Sequence, residues 1–177
     1  KNLAMPTGGL IAINSKNHKK IRQLLSARRW CGITDRNKTD YNVKEIGNNY
    51  YMNEFSAAIG LTQLKELDKQ NNVRKKIAKR YFQEIKSEAK MQFDKDCSYH
   101  FYWILVKNRN KFRKKMSENR VETGTHYKPI HTFSFYKSKI KLKITENVGK
   151  SVVTIPCHPN LTQTQIDKII KIINRNI

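Results

Sequence analysis

Residues 47–68 read GNNYYMNEFSAAIGLTQLKELD, and the reading of this stretch decides the fold. Its first part closes a polar, aperiodic segment, 34–51, which is long for a connection inside a compact domain and so is expected to be functional or disordered. From Asn53 onward the pattern changes. Leu61, Leu64 and Leu67 recur at i+3, and Val73, Ile77 and Tyr81 follow at i+4, so the spacing predicts one helix over about 53–88. Ala57, Ala58 and Gly60 keep its first turns thin, which lets another element pack closely there. A helix of that length usually links or pairs domains rather than standing alone.

Working toward the N-terminus, Gly8-Gly9 is a turn that leads into LIAINS, an apolar run of strand length. Ser15 is placed to cap a helix in which Ile21, Leu24 and Leu25 share a face. Beyond the long helix the composition resets. YHFYWILV (99–106) reads as a buried strand, 111–119 as a short basic helix, and VETGTHY (121–127) and SVVTIP (151–156) as further strands. The chain closes with a helix that opens on a capping box, Thr162-x-x-Gln165, and carries Ile166, Ile169, Ile170, Ile173 and Ile177 on one face. Strands and helices alternate, so the class is α/β, with a small α/β domain expected over 91–177 and a separate body over 1–90 that includes the long helix.

A net charge of +22 raises the question of nucleic acid. The cations are spread over almost every segment, with the densest runs at Lys75, Lys76, Lys79 and Arg80 and at Arg113, Lys114 and Lys115. Asn and Ile are abundant alongside Lys, as AT-rich codons favour. Compositional bias and a solvated positive face therefore explain the charge, and no aromatic-interleaved basic strand argues for a nucleic-acid partner. The charge does suit a substrate that carries phosphates. No apolar run is long enough to span a bilayer and no signal-peptide pattern is visible, so no membrane partner is expected. Cys31, Cys97 and Cys157 are odd in number and in no CxxC pair, which points to a reducing, cytoplasmic setting.

Several stretches are unlike structural filler: Lys1 with Gly8-Gly9, RRWCGITDR (28–36), the quoted 47–68, and THYKPIH (125–131). Taken in this order they resemble the DegT/DnrJ/StrS family of sugar aminotransferases, which use pyridoxal phosphate (PLP). The family pattern K-N-x-x-x-x-E-G-G is similar to K-N-L-A-M-P-T-G-G here, R-W-x-G-I-x-R to Arg29 through Arg36, and H-Y-x-P-x-H to His126 through His131. The longest match, G-x-N-Y-R-M-x-E-x-x-A-A-I-G-x-x-Q-L-x-x-L-D, falls on Gly47 through Asp68. A late L-P-x-H-P-x-L-T falls on Ile155 through Thr162.

The resemblance implies a fold type I PLP-dependent transferase, of which this chain would be the C-terminal part: a remnant of the large domain with its long helix, then the small domain. It implies that Lys1 is the catalytic lysine that carries PLP through its amine and then serves as general base and acid. Asn49 and Tyr51 would meet the cofactor phosphate of a partner subunit in a homodimer with shared active sites, and His126, Tyr127 and His131 would line the sugar-nucleotide side. The reaction implied is transfer of an amino group, with glutamate as donor, to a nucleotide-linked keto sugar. Dehydratases of the family carry His in place of this lysine, so Lys1 favours transamination. The acid for the pyridinium nitrogen, the stacking ring and much of the phosphate cradle would lie in the first portion of the large domain.

Two departures stand out. Thr7 replaces the acidic residue before Gly-Gly, and Tyr51 replaces an arginine, exchanging a cation for a single hydroxyl donor. Tyr51 is the best support for a rival reading, a non-catalytic relative, and the charge is the support for another, a basic nucleic-acid-binding module. A zinc site built from His126, His131, Cys157 and His158 lacks the usual paired cysteines, so no metal is expected.

Overall fold

The computed structural model describes residues 1–136 and 139–177. The chain divides into two compact units, Lys1 with Leu3–Lys65 and Asn2 with Glu66–Ile177. Asn2 belongs to the second because its Nδ2 donates to Asn71 Oδ1 (2.9 Å) and to the Ser98 carbonyl (2.7 Å).

In the first unit, helix α1 spans His18–Arg29 with Asn17 as its N-cap. Ser15 lies two residues before the cap: its Oγ accepts the Asn17 N–H (3.2 Å) and its carbonyl the His18 N–H (3.1 Å). The helix ends through two left-handed residues, Cys31 (φ 53°) and Gly32 (φ 76°), and the Gly32 N–H returns to the Ala27 carbonyl at 2.8 Å. A Cβ at Gly32 would lie 1.8 Å from the Glu45 carbonyl oxygen, so this position requires glycine on two counts. Two short strands follow, β1 (Ile33–Thr34) and β2 (Asn42–Val43), paired antiparallel with Ile33 opposite Val43. The segment 34–51 is thus partly ordered as a hairpin, and Asn37 Oδ1 braces its tip by accepting the N–H groups of Thr39 and Asp40.

The strand expected in LIAINS does not form. Leu10 and Ile11 are 88% and 73% exposed, and neither sheet among the described residues includes the segment. A strand takes its backbone hydrogen bonds from a neighbour, and without one an apolar run has no ladder to join.

Helix α2 spans Glu54–Glu84 as one uninterrupted helix. Asn53 caps it by accepting the Ser56 N–H on Oδ1 at 2.8 Å. Its thin first turns receive the N-terminal segment: a Cβ at Gly60 would lie 2.4 Å from Met5 Sδ, and Thr7 Oγ1 is 3.5 Å from Ser56 Oγ.

The second unit is built on an antiparallel pair, β3 (Tyr102–Leu105) and β4 (Val152–Ile155), with Tyr102 opposite Ile155 and Ile104 opposite Val153. Single bridges extend it on both sides, Lys90 to Ile104 and Gly124 to Thr154. The expected strand 121–127 is reduced to that second bridge, closed by Gly124 N–H to Thr154 O (2.9 Å) and its reciprocal (3.0 Å). Tyr102, Ile104, Val153 and Ile155 alternate onto one face and join a core with Ile77, Ala78, Tyr81 and Ile85 from α2. Helix α3 (Arg109–Glu118) adds Phe112 and Met116. After a 3₁₀ turn (Ile130–Thr132) comes α4 (Lys143–Ser151), a helix the spacing did not predict.

Helix α5 (Gln163–Asn176) opens on the capping box expected, with Thr162 Oγ1 accepting the Gln165 N–H (3.2 Å) and Gln165 Oε1 accepting the Thr162 N–H (2.9 Å). It buries Ile166, Ile169, Ile170 and Ile173 as its periodicity implies, and Ile172 as well, while Ile177 is 49% exposed. Two polar clamps fasten it to α2. Arg80 reaches Glu84 (2.6 and 2.8 Å), Asp167 (2.7 Å) and Gln163 (3.0 Å) with one guanidinium. Asn174 accepts the Lys86 N–H and donates to the Glu84 carbonyl, both at 2.8 Å, and so finishes the C-terminal end of α2. Asn174→Ala strips both partners at once and is expected to cost about 1–2 kcal/mol, read as a lower urea midpoint with an unchanged slope.

Candidate functional site

In the first unit the arginine-tryptophan motif and the GNNYY stretch form one structure. Arg28 O accepts the Asn48 N–H (2.9 Å), Arg29 O accepts the Tyr50 N–H (2.9 Å), and Asn48 O accepts the Cys31 N–H (3.2 Å), around a bridge between Trp30 and Asn49. Glycine makes this approach possible. A Cβ at Gly47 would lie 2.3 Å from the Gly32 nitrogen and 2.8 Å from the Arg28 carbonyl oxygen.

This zipper sets the side chains. Tyr51 meets the Trp30 ring edge-on at 4.5 Å, the Arg29 guanidinium stands 5.6 Å over the Tyr51 ring, and that of Arg36 stands 5.7 Å over Trp30. Asn49 is exposed; its Oδ1 accepts the Tyr51 N–H at 3.3 Å, which leaves the amide nitrogen as a donor. The cation absent at position 51 therefore has a neighbour of the same charge beside it. Nothing in the local sequence pairs Arg29 with Tyr51, because the bridge that brings residues 29 and 51 together is tertiary. Lys1 is exposed at the start of the segment that crosses the first turns of α2, and Gly8 (φ 131°) turns that segment against Met52.

In the second unit, His126 stacks on Phe101 (5.5 Å, 15° between planes) and its Nδ1 lies 2.7 Å from Thr154 Oγ1. Tyr127 is 60% exposed and meets the His126 ring edge-on at 4.9 Å. His126 lines a 740 Å³ cavity together with His100, Phe101, Arg74 and His158. Cys157 also lines it, but burial pushes its thiol up to about 12, so it stays protonated and unreactive at neutral pH. His131 is turned inward, its side chain 15% exposed and its Nε2 3.3 Å from Glu146 Oε1. Thus His126 and Tyr127 face an aromatic platform, whereas His131 is engaged by α4.

The fold is that of the sugar aminotransferases. An aminotransferase of Helicobacter pylori involved in pseudoaminic acid biosynthesis superposes with a TM-score of 0.79 at 25% identity, over 92% of this chain and 46% of that one. The sugar aminotransferase CalS13 of Micromonospora echinospora gives 0.76 at 25% identity, over 86% and 44%. A model of the DegT/DnrJ/EryC1/StrS aminotransferase family matches residues 1–174, and the chain belongs to that family. Among its relatives, the Campylobacter jejuni UDP-4-amino-4,6-dideoxy-N-acetyl-beta-L-altrosamine transaminase is 32% identical over 87% of this chain and 43% of its own length. The Escherichia coli O157:H7 GDP-perosamine synthase is 30% identical over 73% and 37%. The chain thus spans less than half the length of these curated relatives.

Proposed function

We propose that this chain is the lysine-bearing part of a PLP-dependent aminotransferase that moves an amino group from glutamate to a nucleotide-linked keto sugar. The observation that carries the reading is the backbone zipper of 28–31 with 47–50, which sets Asn49 opposite Trp30 and the Arg29 guanidinium over Tyr51 in a chain of this family. The donor set suits PLP. Lys1 offers a primary amine for its aldehyde, and an amide N–H with a nearby guanidinium suits its phosphate. When bound, PLP supplies the electron sink for the reaction.

The roles of the residues follow from their chemistry. Lys1 Nζ holds the cofactor, then takes and returns the proton that moves during amine transfer. Asn49 donates to a phosphate oxygen of the cofactor in a partner subunit, Tyr51 buttresses that contact, and Arg29 supplies the charge. His126, Tyr127 and His131 form the face that receives the sugar. The shared-site homodimer follows from the family resemblance alone. We place the boundary between the large and small domains near residue 90 and the protein in the cytoplasm. Among the described residues no helix is long and apolar enough to cross a membrane.

The test is made on the protein expressed from its whole reading frame. Supplied with PLP, glutamate and nucleotide-linked keto sugars, it is expected to form 2-oxoglutarate and amino sugar in equal amounts. Cofactor binding without either product would favour the non-catalytic relative. Arg29→Ala is expected to weaken PLP binding about 10-fold, as for the loss of one charge-assisted hydrogen bond, measured by equilibrium titration. An unchanged affinity would remove Arg29 from the phosphate site.

A further inference from the structure

The loop that carries His126, Tyr127 and His131 is held by helix α4 at successive points on one helical face. At the first, His131 Nε2 lies 3.3 Å from Glu146 Oε1, and the same oxygen accepts the Leu142 N–H at 2.9 Å. At the second, Gly149 lies against Pro129: a Cβ there would fall 2.5 Å from both Pro129 Cδ and Cγ, so only glycine lets helix and loop approach this closely. Residues 146 and 149 stand at i and i+3 and so share a face. Arg109, the first residue of α3, donates to the Gly149 carbonyl and ties the helix to α3. Thr132 Oγ1 donates to the Pro129 carbonyl (2.7 Å) and stiffens the turn.

We infer that Glu146 is a positioning residue, which sets the orientation and the tautomer of His131 and thereby holds loop 125–131 in its working shape. The inference rests on the proposed function for what the loop binds, but not for what Glu146 does to the ring. The Leu142 N–H, then the His131 ring, hold the Glu146 carboxyl below its ordinary range, so it is ionised at neutral pH and only accepts. Nε2 must then carry hydrogen, and Nδ1 is the ring atom left for other partners. The Leu142 N–H anchors the accepting oxygen, so the ring is aimed by the backbone of α4 rather than by a swinging side chain. The 450 Å³ cavity behind the loop is lined by Arg109, Lys128, Lys150 and Glu146, so Glu146 is the one carboxylate among cations at the described residues of that lining.

The test uses the whole protein with ¹⁵N-labelled histidine, the His131 signals being assigned by their loss in His131→Gln. The wild-type ring is expected to show hydrogen on Nε2. Glu146→Ala should give a mixture of ring forms and raise KM for the nucleotide sugar about 10-fold, with kcat changed far less. Glu146→Gln keeps an acceptor and should retain most of both. A wild-type ring protonated only at Nδ1 overturns the inference even where the alanine variant does not fold. Ring signals unchanged in Glu146→Ala overturn it as well. Should the protein fail to transaminate, the proposed function falls, and the ring signals still decide the role of Glu146.

Discussion

Changing Lys1 to alanine in the whole protein is expected to reduce glutamate-dependent 2-oxoglutarate formation by roughly 10⁴-fold, with the fold intact. Lys1 is exposed, so its removal leaves no cavity in either core. What is lost is the amine proposed to attach the cofactor and to move the proton. Lys1→Arg is expected to fail as well, because a guanidinium stays protonated and cannot attack an aldehyde. Retained activity in either variant would move the chemistry to another residue, and the match of K-N-L-A-M-P-T-G-G to the family pattern would then carry no catalytic meaning.

The largest effect on stability is expected at Tyr81. Its side chain is fully buried, meets the Tyr102 ring edge-on at 5.4 Å and donates to the Pro156 carbonyl at 2.8 Å. Burial raises the phenol far above its ordinary range, so it remains a neutral donor at any working pH. Tyr81→Ala empties a large core volume and strands the Pro156 carbonyl, at a cost of about 4 kcal/mol. Tyr81→Phe keeps the ring and loses the bond alone, at about 1 kcal/mol. Urea denaturation separates the two. Equal costs would mean that the hydrogen bond, not packing, dominates the site.

What the amino-acid order discloses depends on how local its cause is. The capping box of Thr162 and Gln165 and the isoleucine stripe of α5 are set within one turn, and both stand in the structure as read. Helix α2 is legible for the same reason, except at its end, where Asn174 from a distant helix decides the last residues. Helix α4 is short, and its apolar spacing, Ile144 and Val148, spans a single turn before Gly149; contacts with Pro129, Arg109 and His131 hold it. The LIAINS run shows the converse: among the described residues of a chain that spans less than half the length of its curated relatives, this strand pattern has no neighbouring strand. At the candidate site, the residue types of Lys1, Asn49 and His126 were legible from motifs. The contacts of Tyr51 with Trp30 and Arg29, and of His131 with Glu146, were not, since each joins segments that only tertiary folding brings together.

The most direct test of the central claim, that Lys1 carries PLP, is the absorption spectrum of the whole protein mixed with the cofactor, recorded beside that of Lys1→Ala. The expected result is a bound-cofactor band near the visible edge that bleaches when glutamate is added and is absent from the variant. A band that survives in Lys1→Ala, or no band in the parent protein, would contradict it.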